Sequence, residues 1–462
     1  MALLPEITVF LFSLLFLVFS LLKNRPSLYL WARGLVLLGI FLAALGTAVK
    51  GNFFAGAYRV DLFSQVFKFL IMVGFALVIF MFESEEEVEG EFLAEYFMFL
   101  GFSTLGLMML VSSVELISIA ISLEISSFSL YAIVPLRRAQ TRGQLEASVK
   151  YLFFGAMATG VMLYGIGYIY GITHSTFLVN IIPHLIRYIS QPLAVFAVFL
   201  ILAAFFFKLS LFPFHFWAPD VYEGAANSTA AFIATLPKVA AAALVIRISM
   251  LASAGAKEVA IVLSIFAALS MFFGNLVGLV QKDIKRLLAY SGIAHAGYLL
   301  MGILPLSEEG AAAAIYYMAV YLFMNLACFY VLLLVAKRGE NVAIDGLSGL
   351  AKKSPLLAFT LATAAFSLAG IPPTGGFTGK LFLFVSAFKG GYLGVVIIGA
   401  INTAIALFYY LNLVRMSYAR EENATTITLS SHQKLLCYIF SVLIIYLGVM
   451  PFGLLNLFKR AF

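Results

Sequence analysis

About fourteen stretches of this chain are each close to twenty residues long and almost wholly apolar. A helix needs about twenty such residues to cross a bilayer. Inside hydrocarbon, every backbone polar group must be satisfied within a helix or a closed barrel. The chain therefore reads as an all-α polytopic membrane protein with about 14 transmembrane helices. Composition agrees: 63% of the 462 residues are hydrophobic and 11% are charged, where soluble domains carry roughly 25% charged residues. The opening run, MALLPEITVFLFSLLFLVFSLL, lacks a basic region and a clear small-residue cleavage site, so it reads as the first span and not as a cleavable signal.

The spans give both termini the same side. One set of loops collects Lys23, Arg25, Arg137, Arg138, Arg142, Lys150, Lys282, Lys285, Arg286, Lys337, Arg338, Lys352, Lys353, Arg415, Arg420 and Lys434. Basic loops stay in the cytoplasm, which puts both termini on the outer face of the membrane. The net charge of +7 then reports topology and gives no reason to expect nucleic acid. Glu83, Glu85, Glu86, Glu87, Glu89 and Glu91 form an acidic block, either a solvated loop or a docking strip for a partner. Residues 175–190 are short for a span and read as an amphipathic surface or re-entrant piece.

Two spans, the seventh and the twelfth, are interrupted. Pro213 follows FFFKLSLF, and AGIPPTGGF interrupts the run that starts near Pro355. Proline removes a helical hydrogen bond, and broken backbone at membrane depth belongs where it is buried in protein or lines a wet cavity. The breaks lie five spans apart. That offset fits two inverted five-helix repeats, at 93–252 and 253–418, between an N-terminal unit (1–92) and a C-terminal span (419–462).

Charge at membrane depth is costly and marks function by default. Lys208 sits just before the first break and Lys238 in the following span. Lys380 follows the second break, where the alternative is an interfacial, snorkelling lysine. Glu124 lies deep in the fifth span and needs a partner, for which Lys208 is the natural choice, since a carboxylate that approaches and withdraws switches how tightly a lysine holds its proton. Glu115, nine residues earlier, is about 13 Å away along the axis and on the opposite face, so it belongs to another site or to solvent. His295 lies about 15 Å beyond Lys285 and Arg286, where it either relays protons between Lys238 and Lys380 or packs as a hydrogen-bonding group. Tyr290, Ser291, Tyr321 and Asn325 could hold water beside it. Asp61, Lys68, His174 and His432 look peripheral. Cys328 and Cys437 fall in apolar runs without metal-ligand spacing, and no nucleotide or cluster motif is visible.

FKLSLFPFHFWAPDVYEGA, ATLPK, KDIKRLLAYSGIAHAGYLL and GIPPTGGFTGK together resemble the antiporter-like membrane subunits of respiratory complex I. DVYEGA and the opening LLPEI look most like subunit N of bacterial NADH–quinone oxidoreductase. Pro237 before Lys238, and the lack of a proline after Glu124, depart from that pattern. The resemblance implies a fourteen-helix fold with inverted repeats, and proton translocation through Glu124, Lys208, Lys238, His295 and Lys380, coupled to quinone reduction elsewhere. It implies that NADH or another donor, FMN, iron–sulfur clusters and quinone belong to partner subunits, with neighbouring antiporter-like subunits in the membrane and a peripheral redox arm beyond. Subunits of multi-subunit cation/proton antiporters and of antiporter-like membrane-bound hydrogenases share the lysine pattern and form the alternative. A scaffold with a degenerate channel is a third reading.

Overall fold

The computed structural model describes residues 2–22, 27–82, 87–138, 142–188, 191–251, 257–336, 339–421 and 426–461. Lys23, Arg25, Glu83, Glu85, Glu86, Lys337, Arg338, the side chain of Arg142 and the division between residues 252 and 253 lie outside that description.

The chain runs α1 (Leu4–Leu21), α2 (Leu28–Gly46), a hairpin of β1 (Gly51–Phe53) and β2 (Tyr58–Val60), α3 (Leu62–Met81), α4 (Leu93–Ser112), α5 (Leu116–Ile133), α6 (Arg142–Thr173), α7 (Leu178–Tyr188), α8 (Pro192–Leu209), α9 (Trp217–Gly224) and α10 (Asn227–Leu251). There follow α11 (Lys257–Gly278), α12 (Ile284–Ile303), α13 (Glu308–Val335), α14 (Leu350–Lys353), α15 (Pro355–Ala369), α16 (Gly375–Lys389), α17 (Leu393–Ser417), α18 (Ser431–Val449) and α19 (Phe452–Lys459). Among the described residues, twelve helices are long and apolar enough to cross a membrane. The protein is an integral membrane protein of helical type. The antiparallel hairpin, with Asn52 opposite Arg59, is a small addition to the all-α expectation.

Burial is uneven in a way that locates the core. α10 and α13 are buried along nearly their whole length, whereas α2 and α17 expose most of one side. Helices of uniform hydrophobicity belong in such a centre. Helices around this centre pair by close backbone approaches. A Cβ on Gly106 of α4 would lie 2.6 Å from the Ser126 nitrogen of α5, and one on Gly274 of α11 would lie 2.6 Å from the Ala294 nitrogen of α12. Small residues at such contacts are how helices associate where lipid is as apolar as leucine.

Helix ends explain several charges that sequence patterning assigned to loops. Glu87, from the acidic block, is buried and accepts from the Asn227 and Ser228 amides, each 3.0 Å away. It caps α10 from another part of the chain, as a carboxylate at a helix N-terminus should. Glu115 caps α5 through the Ile117 and Ser118 amides at 3.0 and 2.6 Å, so it is neither solvated nor part of a charge site. Arg137 and Lys285 are not loop charges: Arg137 donates to the carbonyls of Glu223, Gly224 and Gly339, and buried Lys285 to that of Ala225 at 2.8 Å. Asp61 and Lys68 are not peripheral either. Asp61 takes both terminal nitrogens of the mostly buried Arg247, at 2.9 and 3.0 Å, and Lys68 is fully buried. Burial pushes the Asp61 carboxyl up, and the Arg247 hydrogen bonds and charge outweigh this and hold it below its ordinary value.

Both expected breaks occur, and they are alike. α8 ends where Ser210 adopts a left-handed conformation (φ 59°), its amide reaching the Phe206 and Phe207 carbonyls. α15 ends at Gly370 (φ 89°), its amide reaching Phe366 and Ser367. Each helix thus stops three residues before its proline, at Pro213 and at Pro373, by a left-handed C-cap. The chain resumes as α9 and α16. A third interruption was not anticipated: Pro451 separates α18 from α19 within the expected last span. Within the segment expected to be too short for a span, Leu178–Tyr188 form the separate helix α7.

Candidate functional site: buried amines along the helix breaks

Lys208 is the penultimate residue of α8, at the edge of the first break. Its Nζ lies 5.6 Å from the Tyr151 ring and has no hydrogen-bond partner among the described residues. The hydroxyls of Tyr151 and Tyr222 are likewise buried without a protein partner there. The Trp217 indole donates to the Phe207 carbonyl at 3.0 Å and stacks on Tyr151. Trp217 and His215 are both buried beside the break. Glu124 is half-buried on α5 and accepts a short hydrogen bond from Thr159. Among the described residues no ion pair joins it to Lys208, so the expected pair stands open.

Lys238 lies mid-way along α10, also buried, and its Nζ too lacks a hydrogen-bond partner among the described residues. It fits because Gly292 of α12 faces it: a Cβ there would come 2.8 Å from Nζ and 3.1 Å from the Tyr321 hydroxyl. Tyr321 donates to the Ala234 carbonyl at 3.2 Å. Tyr222, on α9, is buried with its ring 6.3 Å from that of Trp217. Asn325 donates to the Tyr321 carbonyl at 3.0 Å, leaving its Oδ1 buried without a protein partner among the described residues. Gly292→Ala is expected to push Lys238 from this position and cut proton uptake by membrane vesicles at least about tenfold, with the assembled complex still recovered. Wild-type uptake would show that the lysine's placement there is immaterial.

His295 continues the row. Nδ1 is 2.5 Å from the Tyr317 hydroxyl and Nε2 3.0 Å from that of Tyr410, which also bonds Ser291. Its ring lies 5.5 Å from Tyr321 and 6.0 Å from Tyr298, and it interacts electrostatically with both Lys380 and Lys238. Tyr290 does not join this group; its ring packs 6.2 Å from Phe273. Tyr317, Tyr410 and Tyr298 do, and sequence reasoning named none of them.

Lys380, on α16, is held by the break itself. Its Nζ donates to the Leu368 and Ala369 carbonyls at 2.9 and 3.1 Å and sits 4.6 Å from the Tyr298 ring. These are last-turn carbonyls of α15, freed by its early end and carrying the negative pole of the helix. The lysine is thus anchored inside the protein. Gly370 is required twice, for its left-handed φ and because a Cβ would lie 3.1 Å from Lys380 Cδ.

On the face carrying Arg137 and Arg286, a polar cavity of about 380 Å³ is lined by Arg137, Glu146, Asp220, Glu223 and Arg286. Arg286 bridges Asp220 and Glu223 at 2.8 and 2.7 Å, and Lys150 reaches Asp220 at 2.5 Å, tying α9 to α12 and α6.

A many-helix membrane protein with two C-capped breaks and a row of buried amines defines the antiporter-like class of membrane subunits. The family described as NADH:quinone oxidoreductase/Mrp antiporter, transmembrane, matches residues 113–406. NADH-quinone oxidoreductase subunit N 2 of Opitutus terrae is 45% identical, over 97% of this chain and 95% of its own length. The subunit N 2 of Solidesulfovibrio magneticus is 43% identical, over 100% and 98%. A chain of respiratory complex I from Thermus thermophilus superposes with a TM-score of 0.85 at 31% identity, covering 98% of each chain. A chain of the Mrp complex from Dietzia sp. shares the fold, with a TM-score of 0.83 at 19% identity. The chain belongs to the NADH:quinone oxidoreductase/Mrp antiporter family of membrane subunits.

Proposed function

We propose that this chain is a proton-translocating membrane subunit of a complex I-type NADH–quinone oxidoreductase, with Lys208, Lys238, His295 and Lys380 as its proton path. The observation that carries the reading is that Lys208, Lys238, His295 and Lys380 are all buried, with Lys208 at one helix break and Lys380 held by the other. Protons enter from the polar cavity at Asp220, Glu223 and Arg286 and reach Lys208. They pass to Lys238 by way of Tyr151, Tyr222 and Tyr321, whose hydroxyls can both accept and donate. His295, between Tyr317 and Tyr410, hands them on to Lys380. Ammonium groups with no protein partner are the groups that water chains serve best, and an unpaired buried charge gives its proton up readily. Glu124 sets how tightly Lys208 holds its proton. In the open arrangement the lysine is poised to release, and when a neighbouring subunit drives Glu124 toward it, the lysine loads.

The repeat assignment follows the same geometry. α12 and the broken α15–α16 pair, added to the twelve long apolar helices, make fourteen spans. The matched pairs α4–α5 with α11–α12, and α8–α9 with α15–α16, support five-helix repeats at 93–252 and 253–418, flanked by 1–92 and 419–462. The basic loops then face the cytoplasm and both termini the outer side. Neighbouring antiporter-like subunits share the membrane. Donor, flavin, iron–sulfur clusters and quinone lie on partner subunits, reached through the peripheral redox arm, and this chain does no redox chemistry itself. Purification by a tag on this chain is expected to bring down flavin and iron–sulfur-bearing partners. Recovery only with other membrane subunits, free of flavin and clusters, would favour the antiporter reading.

A further inference from the structure

A second buried carboxylate–lysine pair lies in the N-terminal helices, outside residues 113–406 and outside the row of amines. Glu6 is in the first turn of α1 and Lys68 in the second turn of α3. Lys68 is fully buried, with Nζ 2.5 Å from Glu6 Oε1. The Tyr58 hydroxyl donates a short hydrogen bond to the same oxygen, and its ring lies 5.1 Å from Nζ. Glu6 is itself only 7% exposed, yet its other oxygen, Oε2, has no hydrogen-bond partner among the described residues. The remaining polar neighbours are Ser112 of α4, which interacts with Tyr58, and Asp61 and Arg247, which act on Lys68.

A mostly apolar cavity of about 410 Å³ reaches Glu6 and Tyr58, with Ser113, Ser118 and Ser122 also on its lining. Phe10, Phe54, Met109 and Ile121 contribute its walls, and Glu6 and Tyr58 line it too. It opens beside the 51–60 hairpin. A buried ion pair adds little stability over apolar residues of the same shape, and ionisable groups in a membrane are functional by default. A purely structural pair has no need of a cavity at its carboxylate, nor of one carboxylate oxygen left without a donor. Tyr58 is a fixed donor and not a carrier, since burial and then the Glu6 carboxylate push its hydroxyl well above the usual value.

We propose that Glu6 and Lys68, braced by Tyr58, form a second protonatable site that exchanges protons through this cavity with the face carrying the hairpin, separately from the Lys208–Lys380 row. The proton binds Oε2, converting an ammonium–carboxylate pair into an ammonium–carboxylic acid pair, and leaves by the same route. No bond between heavy atoms changes.

The test uses a hydrophobic carbodiimide on membranes holding the whole complex, read by peptide mass spectrometry. The reagent adds to a protonated carboxyl and yields either the N-acylurea of Glu6 or, if Lys68 captures the activated carboxyl, the Glu6–Lys68 amide with loss of water to the urea. Modification of Glu6 is expected to rise as pH falls. At neutral pH it should rise at least about fivefold in Lys68→Met, where no ammonium pairs with the Glu6 carboxylate. Should Lys68→Met fail to assemble, the wild-type pH dependence decides alone. No modification of Glu6 at any pH, or modification independent of both pH and Lys68, would overturn the proposal. The readout needs no redox turnover, so it can fail while the role of the Lys208–Lys380 row stands, and the reverse.

Discussion

Lys238→Met is expected to abolish proton transfer while leaving the protein as stable as the parent, or more stable. The side chains have nearly the same length and shape, so packing against Gly292 and Tyr321 is kept. What is lost is an ammonium that makes no hydrogen bond to protein among the described residues. An unpaired buried charge costs several kcal/mol, so replacing it with a thioether should raise stability by about 1–3 kcal/mol. Proton transfer should fall to background because no amine then stands between Lys208 and His295. The check is thermal unfolding of the purified complex beside proton uptake in membrane vesicles. A loss of more than about 1 kcal/mol of stability would mean that Lys238 is a structural bond and not a carrier.

The parts of this site that sequence made legible are those where a rare residue type stands out. Lys208, Lys238, Lys380 and His295 each break an apolar run, and all four are buried where that implied. The tyrosines between them do not stand out, because the chain has 22 and aromatics are ordinary in spans. Helical angle would have sorted Ser291 from Tyr290. Ser291 precedes His295 by four residues and shares its face, whereas Tyr290, five before, points well away. Lys68 reads as peripheral in sequence because its partner Glu6 lies sixty-two positions away and no local pattern joins them. Glu87 shows the same limit. It sits in a block of like charge that reads as solvated, and its true place, capping α10, depends on where the fold brings Asn227 and Ser228. The two helix breaks were legible from their prolines, yet what ends each helix is a left-handed residue three positions earlier. At Ser210 the residue type alone gives no sign of it.

The central claim is that redox turnover elsewhere in the complex moves protons through Lys208. Lys208→Ala removes the buried cation at the first break on which Glu124 acts. The loss should exceed about tenfold, as for removal of a positioned proton-transfer group. The measurement is made on membrane vesicles in which donor-driven quinone reduction and proton uptake are followed together, with assembly checked on the same membranes. The prediction is that both fall in Lys208→Ala while the complex is still assembled. Wild-type quinone reduction with wild-type proton uptake would contradict it and leave the chain a scaffold.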